Sequence, residues 1–256
     1  MDCLVKKKTK LFEDKVIVIT GASSGLGNKI TNEFIKENAN VSICARRLFK
    51  LKKIRKRKAK IFFQKVDVSN EKAIIKFIKK TVKIFGKIDV LINNAGITRQ
   101  SEIENINYND LKKIFEVNLF APVIFLRETL KIMKKKNYGR IINISSGGSI
   151  NCAETFSAYS ASKAALNTLA KTLSKEIKDY NIKVNTMSPG PCKTEMFPKN
   201  KLSTSLSIPT VKYLSSLPKK GPSGKFFWFM NKINIIPELS HIDWSNPNYF
   251  KKNKCL

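Results

Sequence analysis

Short apolar runs alternate along this chain with longer stretches whose apolar residues recur at helical spacing. Val16–Thr20 (VIVIT) is a β-branched run ending at Gly21, the pattern of a parallel strand buried on both faces. From 26 to 38, Ile30, Phe34 and Ile35 mark one face of a helix. Strands are predicted at 41–45, 62–66, 90–92, 140–144 and 183–187. Helices are predicted at 73–85, 110–120, 122–136 and 157–178. In the first of these, Ile74, Ile75, Phe77, Ile78, Val82 and Phe85 are apolar. A seventh strand is predicted at 225–230. Strand and helix in alternation predict an α/β fold, a doubly wound parallel sheet with helices on both faces.

Beyond Met196 the pattern loosens. Residues 199–216 are rich in Ser, Lys and Thr, and 219–224 add Pro and Gly. This composition predicts a mobile loop, then an edge element, then a polar tail, and such segments serve either as active-site lids or as frayed ends. No apolar run approaches the roughly 20 residues a membrane span needs. Residues 1–10 are basic and lack the apolar core of a secretory signal, so a cytoplasmic location is expected.

The net charge is +30, carried by 42 lysines and only seven arginines. Abundant Lys, Asn and Ile together match the bias of an AT-rich coding sequence, and no nucleic-acid-binding motif accompanies the charge. Nucleic acid is therefore not the expected partner, although the surface will attract anionic cofactors and substrates. The densest stretch holds Lys50, Lys52, Lys53, Arg55, Lys56, Arg57, Lys58 and Lys60. It reads as the solvated face of a helix with Leu48, Phe49, Leu51 and Ile54 turned inward; the alternative is a docking site for an acidic carrier protein or nucleic acid. Cys3, Cys44, Cys152, Cys192 and Cys255 are scattered, and His241 is the single histidine. That set supports neither a disulfide framework nor a metal site.

The chemistry begins at Thr20-Gly21-Ala22-Ser23-Ser24-Gly25-Leu26-Gly27, directly after a strand and opening a helix. Glycines there allow a tight turn and close approach of a pyrophosphate to backbone N–H groups at a helix N-terminus. Downstream, in order, stand Asp67-Val68, Asn93-Asn94-Ala95-Gly96, Asn118 within Val117-Asn118-Leu119, Ser145-Ser146, Tyr159-x-x-x-Lys163, and Pro189-Gly190 followed by Thr194. With this ordered series, over roughly 15–196, the chain resembles the short-chain dehydrogenase/reductase family. The resemblance implies a Rossmann-type fold and an NAD(P)-dependent oxidoreductase. It divides the chain into a basic N-terminal extension at 1–14, a dinucleotide-binding catalytic domain at 15–196, and a lid, edge strand and tail of the same domain at 197–256. It implies cofactor contacts from Gly21, Ser23, Ser24, Gly25, Leu26, Gly27, Asp67, Val68, Asn94, Ala95, Gly96, Tyr159, Lys163, Pro189, Gly190 and Thr194, and a homodimer or homotetramer.

Tyr159 and Lys163 lie four apart on a predicted helix and so share one face. Reduction of a carbonyl needs a proton donor to the oxygen, and an ammonium beside a phenol brings its titration toward the working pH. Ser146 precedes Tyr159 by thirteen positions, the family's register for the serine that binds the substrate carbonyl, and is preferred over the adjacent Ser145. By resemblance Asn118 would position Lys163 through a water; it also suits a helix kink. At the end of the second strand, where NAD-specific relatives carry an acid, stands Ala45, followed by Arg46 and Arg47. A guanidinium from Arg46 suits a 2′-phosphate, which favours NADPH over NAD.

The expected reaction is reduction of a small-molecule carbonyl, either a ketone or a carrier-linked 3-oxoacyl thioester. Residues 147–156 and the chain from Cys192 onward are expected to line the substrate site. A non-catalytic dinucleotide-binding scaffold and a basic nucleic-acid-binding protein are the alternatives. The segment Gly221-Pro222-Ser223-Gly224-Lys225-Phe226-Phe227 departs from the glycine-rich ending usual in the family.

Overall fold

The computed structural model describes residues 10–54 and 59–236. Cys3, Cys255, His241, Arg55, Lys56, Arg57, Lys58, most of the N-terminal extension and the tail from 237 lie outside the described residues.

Among the described residues eight strands form one sheet: β1 Val16–Thr20, β2 Asn40–Ala45, β3 Ile61–Lys65, β4 Val90–Asn93, β5 Gly139–Ile144, β6 Ile182–Ser188, β7 Phe226–Trp228 and β8 Asn231–Ile233. Their spatial order is β3-β2-β1-β4-β5-β6-β7-β8, parallel through β7, with β8 antiparallel at the edge. The expected α/β architecture is therefore present. Eight α-helices accompany the strands among the described residues: α1 Gly25–Lys36, α2 Leu48–Lys52, α3 Glu71–Phe85, α4 Tyr108–Phe115, α5 Ala121–Lys135, α6 Gly148–Asn151, α7 Ser157–Glu176 and α8 Ile208–Ser215.

Alternation within β1 builds both layers of the core. Ile17 and Ile19 face a cluster with Leu26, Ile30 and Phe34 of α1 and Val211 and Leu214 of α8. Val18 faces the opposite cluster, with Ile74 and Phe77 of α3, Phe125 of α5 and Leu173 of α7. Each fully buried Ile or Phe contributes roughly 1.5–3 kcal/mol, which is why so short a strand holds its place. Caps set the helix ends. The Asn70 side chain accepts from Ala73 N and starts α3 two residues before the apolar pattern does, and Gly86 closes it at φ 71°.

Three expectations need correction. Residues 199–216, expected as a mobile loop, fold into a 3-10 turn at Thr204–Ser207 and into α8. Ile208, Val211 and Leu214, three apart, are buried, and they outweigh the surrounding serines and lysines. Phe49 is 59% exposed rather than turned inward, because α2 is barely longer than a turn and its inner side is taken by Leu51 and Ile54. Finally, the helices expected at 110–120 and 122–136 are one continuous helical run, joined by a π-helical turn at Glu116–Phe120 in which Ala121 N reaches back five residues to Glu116 O. Pro122 has no N–H for the carbonyl four residues back, so a regular α-helix loses a bond there, and the widened turn is the local solution.

Strand order reverses between β1 and β4, and a crevice opens at their carboxyl ends, where open α/β sheets bind ligands.

Candidate active site

The glycine turn after β1 and the turn after β4 are tied together. Thr20 Oγ1 accepts from Asn94 N at 3.0 Å and Ala95 N at 2.9 Å, while Asn94 Nδ2 donates to Thr20 O at 2.9 Å. Gly21 sits at φ 67°, and a Cβ there would lie 2.9 Å from Ala95 Cα. Only glycine allows this approach. At the start of α1 no side chain caps the helix and no acid occupies its first turn, so its N–H groups face the crevice available to an anion.

The crevice is a solvent-open cleft of about 250 Å³. It is lined by Gly21, Ser23, Ser24, Gly25, Leu26 and Gly27 on one side and by Asn94, Ala95 and Gly96 on the other. Arg46, Asp67 and Val68 stand at one end, and Ser146, Tyr159, Lys163, Pro189, Gly190 and Thr194 at the other. Every residue picked from the sequence lines this cleft except Asn118. A long ligand with a central diphosphate, an adenosine end near Asp67 and a reactive end near Tyr159 fits this set. Burial raises the Asp67 carboxyl, but bonds from Ser69 N and Oγ outweigh it and leave it lowered, so the group is anionic at neutral pH.

At the reactive end, α7 presents Tyr159 and Lys163, both buried. Contrary to the expected lowering by Lys163, burial pushes the Tyr159 phenol above its usual value, opposed by a hydrogen bond with the Ser146 side chain, so the phenol is protonated at pH 7. Burial also lowers Lys163 to about 8. Its Nζ donates to Ile144 O at 2.8 Å and lies 5.8 Å from the centre of the Tyr159 ring. Ser146 and Ser145 are separated by geometry. Both line the first cleft, but Ser145 Oγ lies 3.4 Å from the Lys163 carbonyl, whereas Ser146 Oγ accepts from Gly148 N at 3.1 Å, hydrogen-bonds Tyr159 and also lines the second cleft.

Asn118 is fully buried in the π turn. Its Oδ1 accepts from Ile97 N and its Nδ2 donates to Ile97 O, both at 2.9 Å. The same Nδ2 lies 3.0 Å from Ser162 Oγ, which donates to Tyr159 O at 2.7 Å. The side chain thus fastens the β4 turn to the helix that carries Tyr159.

A second cleft of about 860 Å³ adjoins the first and shares Ser146, Tyr159, Gly190, Met196 and Phe197 with it. Phe156, Phe197 and the Tyr159 ring form an aromatic cluster with centroids 6.0–6.4 Å apart. Trp228, at the carboxyl end of β7, lies over the loop after Ser146: a Cβ at Gly147 would fall 2.5 Å from its ring. Parts of 147–156 and of the chain from Cys192 onward line this second cleft, and Phe197 and Trp228 were not singled out in the sequence. The signal for Trp228 was its place after Phe226-Phe227, since the carboxyl ends of parallel strands face the ligand side.

Nor did the sequence single out Glu195. Its carboxylate bridges Arg47 Nη1 at 2.7 Å and Lys50 Nζ at 2.6 Å, and Arg47 Nη2 donates to Ser24 Oγ at 2.6 Å. Arg46, the expected phosphate contact, lines the same end of the cleft.

Comparison with known proteins gives a consistent result. Residues 15–204 match the family model described as short chain dehydrogenase. An uncharacterized oxidoreductase of Thermotoga maritima is 35% identical over 190 residues, spanning 72% of this chain and 74% of that protein. An uncharacterized oxidoreductase of Staphylococcus saprophyticus is 31% identical over 184 residues, spanning 70% of this chain and 79% of that protein. Among solved structures, an alcohol dehydrogenase from the archaeon Thermococcus sibiricus, complexed with 5-hydroxy-NADP, superimposes with a TM-score of 0.77 at 25% identity. The superposition covers 88% of this chain and 99% of that one.

Proposed function

Because the chain belongs to the short chain dehydrogenases and is an NAD(P)-dependent oxidoreductase of that family, we propose that it reduces a carbonyl compound to an alcohol with NADPH. The observation that carries this reading is the junction of the two clefts: Tyr159 and Ser146 line both, so a ligand in either one meets the same two hydroxyls.

When bound, the dinucleotide supplies the hydride to the carbonyl carbon. The residues of this chain supply the rest. Ser146 Oγ hydrogen-bonds the carbonyl oxygen and fixes its direction. Tyr159 gives its hydroxyl proton to that oxygen as negative charge develops there. The Lys163 ammonium stabilises the phenolate left behind, which requires it to be charged, a condition met below its value of about 8. Asn118 is a positioning residue: it holds the turn at Ile97 and, through Ser162, the helical turn of Tyr159.

NADPH is favoured over NADH because β2 ends at Ala45, without a carboxylate for ribose hydroxyls, and Arg46 and Arg47 follow. The aromatic wall of the second cleft favours a ketone with an apolar flank; a 3-oxoacyl thioester is one such compound. The test is Tyr159→Phe. NADPH binding, followed by its fluorescence, should persist while turnover on a panel of ketones and 3-oxoacyl thioesters falls by at least about a hundredfold. Turnover near that of the wild type would remove the proton-donor assignment.

A further inference from the structure

The three donors around Glu195 form an anion cradle at the adenosine end of the cleft, and the carboxylate fills it. Arg47 and Lys50 each approach one of its oxygens, and the Ser24 hydroxyl also hydrogen-bonds it. Ser24 immediately precedes α1, while Arg47 and Lys50 follow β2, so the cradle sits where the glycine turn and the end of β2 converge. Glu195 comes from a different part of the chain, the loop after β6, and crosses the cleft to reach them.

We propose that Glu195 is an internal stand-in for the 2′-phosphate of NADPH, and that the phosphate binds by displacing this carboxylate from Arg47, Lys50 and Ser24. The inference rests on the dinucleotide reading above and deepens it: discrimination between NADPH and NADH is set by an exchange of anions and not by arginines alone.

Charge and exposure decide which anion wins. A phosphate monoester carries about −1.5 to −2 charges at pH 7 and three acceptor oxygens, against one charge and two oxygens for a carboxylate. The Arg47 and Glu195 side chains are 40% and 52% exposed, and Lys50 is 31% exposed. Ion pairs this wet hold weakly and are screened by salt, so the carboxylate yields to a stronger ligand. NADH has no group that needs the cradle and leaves Glu195 in place. Displacement also frees the loop carrying Thr194, Met196 and Phe197, residues that line the cleft alongside Tyr159. Occupation of the phosphate site is thereby linked to the mobility of the substrate wall.

The experiment is equilibrium binding of NADPH, NADH, adenosine 2′,5′-bisphosphate and ADP to the full chain, by calorimetry or fluorescence. Wild type, Glu195→Gln, Glu195→Ala, Arg47→Ala and the Arg47→Ala/Glu195→Gln double variant are compared. Removing the competing charge should tighten NADPH and adenosine 2′,5′-bisphosphate by about three- to tenfold, the equivalent of two exposed ion pairs, and leave NADH and ADP unchanged. In the Arg47→Ala background the gain from Glu195→Gln should shrink or vanish, since the two residues act on one another. Equal tightening of NADPH and NADH, or no response of either 2′-phosphate ligand, overturns the exchange while leaving the dinucleotide site standing. Failure of every protein to bind either dinucleotide overturns the cofactor reading, and the exchange with it.

Discussion

Lys163 offers a test of the site that needs no substrate. Its ammonium is buried, with Ile144 O at 2.8 Å as its hydrogen-bond acceptor, and burial lowers its titration from 10.5 to about 8. A lysine whose folded value lies below its unfolded one is a stability cost wherever it is charged. Below pH 8 it is protonated in both states and the cost is fully present. As pH rises from 8 to 10.5 the folded protein loses the proton first, and the cost disappears. A shift of this size corresponds to about 3 kcal/mol at pH 7, falling below about 1 kcal/mol by pH 10. Lys163→Met removes the charge and keeps most of the volume. The variant's stability relative to wild type should therefore drop by about 2–3 kcal/mol between pH 7 and pH 10, whatever constant offset the lost bond to Ile144 O introduces. Urea unfolding of both proteins without dinucleotide, followed by circular dichroism across this range, measures the difference directly. The other lysines lose charge in both proteins alike and cancel. Parallel stability curves would show that Lys163 keeps an ordinary titration, and the electrostatic account of the site would fall. The same titration bears on activity: the variant should lose turnover even where it is the more stable protein.

Two further outcomes follow from the packing. Gly27→Ala should cost about 1–3 kcal/mol of stability and weaken dinucleotide binding at least tenfold, because a Cβ there would lie 2.5 Å from Gly21 O and closer still to Asn94 Nδ2; thermal unfolding and dinucleotide titration check it, and a variant indistinguishable from wild type would refute the close approach. Trp228→Ala should raise KM for apolar ketones severalfold with little change in NADPH affinity, since the indole lines only the second cleft; steady-state kinetics against both substrates decide, and a matching loss for NADPH would place the indole's influence elsewhere.

The sheet was legible because β1 and β4 are apolar runs, β2 and β5 keep three or four apolar residues each, and β6 still places Ile182, Val184 and Met187 among polar ones; the strand ends found differ from those expected by a residue or so. The site was legible for a related reason. Tyr159 and Lys163 are one helical turn apart, and the glycine turn is local, so sequence spacing translates directly into geometry. What escaped depends on contacts distant in sequence. Glu195 meets Lys50 across 145 residues, and nothing near either position marks the other. Arg140, read only as a strand residue, is almost wholly buried and binds the carbonyls of Leu217, Gly139 and Asn181, with no carboxylate partner among the described residues. Its arrangement follows from how the ends of β5, α8 and β6 meet. The π turn escaped because Pro122 reads as a helix breaker, whereas the fold accommodates it by widening the helix around Asn118. α8 escaped because three buried apolar residues were outnumbered by polar ones.

Trp228 lies beyond the stretch shared with the family, which ends at residue 204, yet its ring rests on the loop that follows Ser146. One side chain of the second cleft is consequently supplied from outside the stretch that carries Ser146, Tyr159 and Lys163. That one residue of the second cleft's wall can be exchanged without touching Ser146, Tyr159 or Lys163. A chimera that exchanges residues beyond 217 with those of a relative should change which ketone is accepted and keep how it is reduced.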